Sequence, residues 1–400
     1  MVQTAGRTVT VLVTWQGERL GAVGPFEVAT PRWHDVGPVA EQLEAELGVP
    51  ALVLRLVSVE GGEDGRGGHV TYHAEALRRP VIALEASDAT LSPDALRSDW
   101  ATPEGLRSAL SWADDALRAA GRPAVGPVEQ VKTWNLSGLY RIPTGGGPVW
   151  LKTTPRFGAC EAQVIELFGS VDATLVPTVL AADTAGRRVL LDHVPGQDCW
   201  GVPEDSMLSA VGRLVAAQAA LAGQSPAGLP DRTPQALIGG VRALLAGEAV
   251  QELSADELAR VRRLAEELPG MVKELAACGL PETVVHGDFH PGNWRSDGRD
   301  TVVVDFSDSY LGHPAFDGLR PRAFLSADRW EQVREVWTQA WSAQLPGADP
   351  GRALEIAEPL MHLAYAVRYQ EFLDNIEASE RIYHEGDPAS ELRAAIASAV

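Results

Sequence analysis

A chain of 400 residues exceeds one average hydrophobic core and predicts two or three domains. Its 34 basic and 54 acidic side chains leave a net charge of −20, which argues against nucleic acid or an anionic membrane surface as partner. Cys160, Cys199 and Cys278 are too scattered for a disulfide framework or metal cluster. With no apolar run of about 20 residues and no leader pattern, the expectation is a reduced, cytoplasmic protein without a membrane span.

Residues 1–122 read as a small α+β domain. Thr8 to Trp15 alternates and is rich in β-branched residues, and Ala51 to Val59 and His69 to Ala76 are two further strand candidates. Helical spacing runs from Val36 to Leu47, stopped by Gly48, and again from Pro103 to Ala120. The segment Glu41 to Val49 (EQLEAELGV) resembles the helix of the Nudix hydrolase box at Leu43, Glu46, Gly48 and Val49. It departs from the box where Glu41 and Gln42 replace the Arg-Glu pair and Ala45 replaces a metal-binding Glu. The resemblance therefore implies a degenerate Nudix-like domain without hydrolase activity, serving as scaffold, dimer contact or substrate-side cap. Arg118 to Pro127 (RAAGRPAVGP) reads as the domain boundary, and a cut there is expected to release a separately soluble module.

Residues 123–200 read as a small antiparallel sheet: strands over Val128 to Trp134, Gly138 to Ile142 and Val149 to Lys152, then Arg188 to Gly196 as a strand ending in a turn. The first turn (NLSG) offers the backbone of Ser137 and Gly138 for laying N–H groups over phosphates. Lys152 ends the third strand, and Glu161 and Glu166 lie on the helix that follows.

Residues 201–400 are mainly helical. Periodicity marks Ser206 to Ala222, Thr233 to Ala246, Ala255 to Ala277, Arg329 to Ser342 and Arg352 to Ile376. Ser254 and Glu257 form a capping-box pattern, and Pro269 is expected to kink or divide the third helix.

Between the third and fourth helices lies VVHGDFHPGNWRSDGRDTVVVDFSDSYLGHPAFD, Val284 to Asp317. Thr301 to Val304 is a short β-branched strand that delivers Asp305 opposite a Pro-Gly loop carrying Asp288 and Asn293. Such a set suits phosphoryl transfer: Asp288 orients a hydroxyl and accepts its proton, while Asn293 and Asp305 hold Mg2+, a hard cation that prefers oxygen. His290 reads as solvent-exposed and Trp294 as packing beneath Asn293. Asp308 stands open between metal or substrate contact and a turn cap.

HGDFHPGN and VVVDFSDS resemble the HGDxxxxN and metal-binding Asp motifs of the aminoglycoside phosphotransferase and choline kinase-like family, with Gly287 where protein kinases usually carry Arg. The resemblance spans residues 128–375 and implies a two-lobe protein kinase-like α+β fold, a small sheet lobe at 123–200 and a helical lobe at 201–400. It further implies ATP as donor, with GTP left open, Lys152 on the phosphates, Glu161 positioning it, Asp192, His193 and Val194 at the adenine edge, His286 as a brace for the catalytic loop and Asp317 as its structural support. Substrate contacts would come from the helical lobe, where Asp308, Arg368, Tyr369, Gln370, Asp374 and Glu377 are candidates. The function implied is an ATP-dependent O-phosphotransferase acting on a hydroxyl of an aminoglycoside, amino sugar or similar small metabolite. The alternatives are an inactive kinase-like binding protein, against which the presence of Lys152, Asp288, Asn293 and Asp305 weighs, and a kinase with added Nudix activity. A second copy of the chain is the candidate macromolecular partner.

Overall fold

The structure, a computed structural model, describes residues 6–201, 204–224, 226 and 228–399. Residues 1–5, part of the stretch read above for a leader, lie outside these. The chain folds as mixed α+β in two compact units. One runs to residue 155 and adds residues 180–193 and 375–383; the other holds 156–179, 194–374 and the chain from 384 onward.

The first unit opens with β1 (Arg7–Trp15), β2 (Glu18–Val28), α1 (Gly37–Leu47), β3 (Ala51–Glu60) and β4 (His69–Ala76). The strands form one sheet in the order β2-β1-β4-β3, parallel between β1 and β4 and antiparallel at both outer pairs. β2 was not foreseen: Gly21, Gly24 and Pro25 disfavour a strand interior, but at a sheet edge, with a shifted register opposite Val9 to Val11, such residues are tolerated. Val39, Leu43 and Leu47 of α1 pack onto Val9, Val11 and Val13, so the helix resembling the Nudix box serves here as a core element.

Next come α2 (Pro103–Ala119), β5 (Glu129–Trp134), β6 (Ser137–Ile142), β7 (Val149–Thr153), β8 (Val179–Asp183) and β9 (Arg188–Asp192). These strands make a second sheet, ordered β5-β6-β7-β9-β8. Leu106, Ala109, Ala113 and Leu117 form one stripe of α2 and share a core with Leu52 and Leu54 of β3 and with Tyr140, Ile142, Val149, Leu151 and Leu190 of the second sheet. β3 is thus covered on both faces, which explains its nearly unbroken apolar run. This shared core corrects the boundary read at Arg118 to Pro127: the first compact unit runs straight across it.

A short segment near the C-terminus completes this unit. Tyr383 packs edge-on against Trp33 and Trp134, at ring distances of 5.5 and 5.7 Å. Glu377 is buried between Arg55 (3.3 Å) and Arg97 (2.9 Å). Glu380 accepts the N–H of Leu56 at 2.8 Å, and burial pushes its carboxyl up to about 8 from an ordinary 4.5.

The second unit is built from α3 (Glu161–Val171), the two-residue strand β10 (Gln197–Asp198), α4 (Glu204–Ala220), α5 (Pro234–Leu245), α6 (Ala255–Ala277), α7 (Ala315–Leu319), α8 (Ala327–Gln344), α9 (Pro350–Asn375), whose last residue is counted with the first unit, and α10 (Asp387–Ser398). The Ser254–Glu257 capping box opens α6 as the sequence indicates. Pro269 does not divide it; the helix is continuous to Ala277. No helix among the described residues is long and apolar enough to cross a membrane.

Two outcomes follow from this packing. Deleting residues 1–122 should uncover Tyr140, Ile142, Val149, Leu151 and Leu190, each worth about 1.5–3 kcal/mol when buried. The shortened chain should aggregate or lose its cooperative calorimetric transition; a transition matching the full chain would refute the shared core. At Glu380 the folded state binds a proton that the unfolded state has released between pH 4.5 and about 8, so this group's stabilisation is lost as pH rises through that window. Glu380→Gln should flatten that decline in denaturant midpoints measured against pH, and an unchanged slope would count against a neutral Glu380.

Candidate active site

Two short ladders in the second unit bring the sequence motifs together. β11 (Thr283–Val285) pairs with β14 (Tyr310–Gly312), Val285 opposite Tyr310. Inside that pair, β12 (Trp294–Ser296) pairs with β13 (Thr301–Val303), Trp294 opposite Val303. The nesting leaves two loops side by side, residues 286–293 with Asp288 and Asn293, and residues 304–309 with Asp305 and Asp308. Hydrogen bonds stitch them, among them one from the Val304 N–H to the Asn293 carbonyl at 2.9 Å and one from the Ser309 hydroxyl to the His286 carbonyl at 3.1 Å.

Strand pairing ends at Val285, so the next backbone N–H groups need other acceptors. Asp317, fully buried on α7, takes the His286 N–H at 2.7 Å, the Gly287 N–H at 3.0 Å and the Gln218 amide at 2.8 Å. Burial pushes its carboxyl up to about 7, against these three donors, which favour the charged form. Burial also lowers the His286 imidazole below its ordinary value. The neutral ring accepts the Asp288 N–H on Nδ1 (3.2 Å) and bonds the Val304 carbonyl through Nε2 (3.1 Å), which makes it the brace its position suggests. Gly287 has φ +89°, and a Cβ there would stand 2.2 Å from the Asp308 carbonyl oxygen. That contact leaves no room for a side chain at this position of the chain.

Asp288 is ringed by donors. Arg320 reaches Oδ1 through Nε at 2.9 Å and Nη2 at 2.8 Å. His290 Nε2 lies 3.2 Å and Asn293 Nδ2 3.1 Å from Oδ2. Burial opposes ionisation, but the Arg320 charge and the His290 ring outweigh it and hold the carboxyl well below the usual carboxylate range. The Asn293 nitrogen also donates to the Asp288 carbonyl at 2.9 Å, which leaves its amide oxygen as the atom able to take a cation. Asp305 sits at φ +69°, with the Ser307 hydroxyl on Oδ1 at 2.9 Å. Glu161 is the buried glutamate of α3 and Glu166 the exposed one; Glu161 Oε1 accepts the Phe306 N–H at 3.2 Å, fixing the residue next to Asp305.

The remaining candidates fall elsewhere. Asp308 is ion-paired to buried Arg368, whose other nitrogen bonds Glu371 at 2.9 Å. Tyr369 packs near Phe372 and His384, and Gln370 and Asp374 bond each other on α9 at 2.8 Å. Glu377 belongs to the first unit and is held by Arg55 and Arg97. In that same unit Lys152 is buried on β7 opposite Leu139 and Val189. The Ser137 hydroxyl accepts the Trp134 indole N–H at 3.1 Å, and Gly138 bonds the Thr153 hydroxyl. Asp192 pairs with Arg122 at 3.1 Å, and His193 Nδ1 accepts the Trp150 indole N–H at 3.1 Å. In the second unit the Val194 carbonyl meets Arg295 at 3.4 Å.

Residues 140–355, more than half of the chain, match the profile of the Phosphotransferase enzyme family, APH. The chain belongs to that family. No curated protein matches it significantly. Among solved structures it is similar to the choline kinase LicA from Streptococcus pneumoniae, with 14% identity, a TM-score of 0.51, and coverage of 71% of this chain and 98% of that one. It is similar also to spectinomycin phosphotransferase APH(9)-Ia, solved with ADP and spectinomycin, at 11% identity, TM-score 0.50, and 72% and 97% coverage. These likenesses establish the kinase-like fold. The enzyme is an ATP-dependent small-molecule phosphotransferase. The family match begins at residue 140 and does not bear on the Nudix resemblance.

Within this phosphotransferase, Asn293 and Asp305 supply hard oxygen donors. Among the described residues no cluster of three or more His, Cys, Asp or Glu forms an all-protein metal cage. Two protein oxygens suit Mg2+, which keeps water and phosphate oxygens in its shell. Sequence reasoning missed Arg320 and misread His290. His290 is not solvent-exposed; it is stacked by Phe324 at 4.4 Å and Trp200 at 5.6 Å and bonded to Asp288. Arg320 carries no local signal that separates it from Arg322, because its partner lies 32 residues away in sequence. Trp294, by contrast, is buried against Phe289 at 4.5 Å, as expected of a residue packed beneath the loop.

Gly287→Ala should cost about 2–5 kcal/mol, the sum of a left-handed backbone penalty and a backbone clash. Denaturant unfolding of the purified variant measures this; a loss under about 1 kcal/mol would mean the loop has room to shift.

Proposed function

We propose that the enzyme transfers the γ-phosphoryl group of ATP in line to a hydroxyl of a small metabolite. The observation that carries this reading is the stitching of the Asp288–Asn293 loop to the loop bearing Asp305. In the reaction the hydroxyl oxygen forms a bond to the γ-phosphorus. The bond from phosphorus to the β–γ bridging oxygen breaks, and ADP leaves with that electron pair. The hydroxyl proton passes to Asp288.

Asp288 is held so firmly ionised that it is a weak base. Its contribution is to accept the hydroxyl's hydrogen bond, aim the oxygen and collect the proton late, which suits a loose transition state with little need for early deprotonation. Asn293 and Asp305 would hold magnesium, which when bound neutralises the charge that develops on the phosphate oxygens. Lys152 would bind the phosphates and Glu161 position it, with the Ser137–Gly138 backbone over the phosphates and the backbone of Asp192 to Val194 at the adenine edge. Glu161 has a second task in this reading, since its bond to the Phe306 N–H ties α3 to the Asp305 loop.

Asp288→Asn should lower turnover by about 10²–10⁴-fold while leaving magnesium-ATP affinity within a few-fold. ADP release and isothermal calorimetry measure the two quantities. Turnover near that of the unaltered enzyme would remove Asp288 from the reaction.

A further inference from the structure

Asp288 has no vacant acceptor position. A carboxylate offers about four lone-pair sites, and here they are taken by Nε and Nη2 of Arg320, by His290 and by Asn293. His290 is a true donor: its Nδ1 accepts the Gly292 N–H at 3.0 Å, so the neutral ring carries its proton on Nε2. A hydroxyl that reaches Asp288 must displace one of the four. The Asn293 contact is the cheapest to give up, because its nitrogen keeps the Asp288 carbonyl at 2.9 Å.

Arg320 stays in place. Its guanidinium lies 4.7 Å from the Tyr365 ring centre and 4.8 Å from that of Phe324, and Tyr365 is itself anchored by its hydroxyl to the Gly287 carbonyl at 3.1 Å. A guanidinium has five N–H groups. Arg320 spends Nε and Nη2 on Asp288, and its Nη1 meets no hydrogen-bond acceptor among the described residues. Arg320 and Tyr365 also line a cavity of about 480 Å³, within the range of small-molecule sites. The acids in the cavity wall are committed: Glu358 to Arg322, and Glu391 to His362 at 2.7 Å. Arg320 therefore joins the cavity wall to the catalytic carboxylate.

We propose that Arg320 determines acceptor specificity by binding the carboxylate of a hydroxy acid on its Nη1 edge while its other edge holds Asp288. The carboxylate then delivers the acceptor's own hydroxyl to Asp288. This rests on the phosphotransferase reading above and narrows its acceptor from hydroxyl-bearing metabolites in general, amino sugars and aminoglycosides included, to hydroxy acids. A planar guanidinium matches a carboxylate in two parallel bonds, whereas a cationic acceptor group would meet like charge at Arg320.

The test is ADP release by the full-length enzyme with magnesium-ATP. The panel holds aliphatic hydroxy acids and sugar acids, their amides, neutral sugars, sugar phosphates and aminoglycosides. The best hydroxy acid should exceed its amide in kcat/KM by on the order of 10-fold or more. Arg320→Gln and Arg320→Lys should erase that ratio mainly through KM. If Arg320→Gln fails to fold, the loss of the ratio in Arg320→Lys, together with thermal stabilisation of the unaltered enzyme by the acid but not its amide, decides the matter.

An unchanged ratio in Arg320→Lys, no turnover of any hydroxy acid, or preference for an amide, neutral sugar, sugar phosphate or aminoglycoside would overturn the proposal. If a neutral or cationic acceptor is turned over and Asp288→Asn abolishes it, the phosphotransferase reading stands and only the Arg320 assignment falls. ADP release that is indifferent to Asp288→Asn sinks both.

Discussion

Everything in the candidate site depends on one buried carboxylate. Strand β11 ends at Val285, and the backbone then turns through a glycine at positive φ that lets the chain pass within van der Waals reach of Asp308. Two N–H groups at that turn would be orphaned in the protein interior without Asp317, which accepts both. Asp317 is carried on α7, only a few residues past β14, the partner of β11. The same hairpin-like stretch thus supplies the ladder and the anchor that extends it. Asp288 sits one residue beyond the anchored pair, so its position is inherited from backbone hydrogen bonds rather than from its own side chain.

The electrostatics of Asp288 follow from that placement. An ionised carboxylate in a largely enclosed loop is costly unless it is fully bonded. Arg320, His290 and Asn293 provide the bonds, and the aromatic rings of Tyr365 and Phe324 hold the guanidinium flat against it. The result is a permanently charged acceptor of low basicity. Such a group orients a nucleophile well and deprotonates it poorly, and phosphoryl transfer asks for the former.

The first unit illustrates a different economy. A four-stranded sheet and a five-stranded sheet would each leave an apolar face exposed, and α2 with β3 lets one core serve both. The segment from Asn375 to Tyr383 closes the unit with an aromatic contact and three acidic or amide groups, Glu377, Glu380 and Asn135, bonded in its interior. Residues distant in sequence are thereby required for one cooperative core.

Much of this was legible in the chain itself. Alternation marked β1, strand-like runs marked β3 and β4, helical periodicity placed α2, α6 and α9 to within a few residues, and the spacing of His286, Asp288, Asn293 and Asp305 pointed to phosphoryl transfer before any fold was known. These features are local: periodicity, turn chemistry and short-range spacing are written within about 10–20 consecutive residues. Only the tertiary structure decided that Arg320 and His290 complete the shell of Asp288, that Glu377 is buried between Arg55 and Arg97, and that one core spans Arg118 to Pro127. Each of those outcomes depends on which surfaces meet across long stretches of chain. An arginine in a polar loop looks the same whether it faces water or a buried carboxylate, and only the packed fold distinguishes the two.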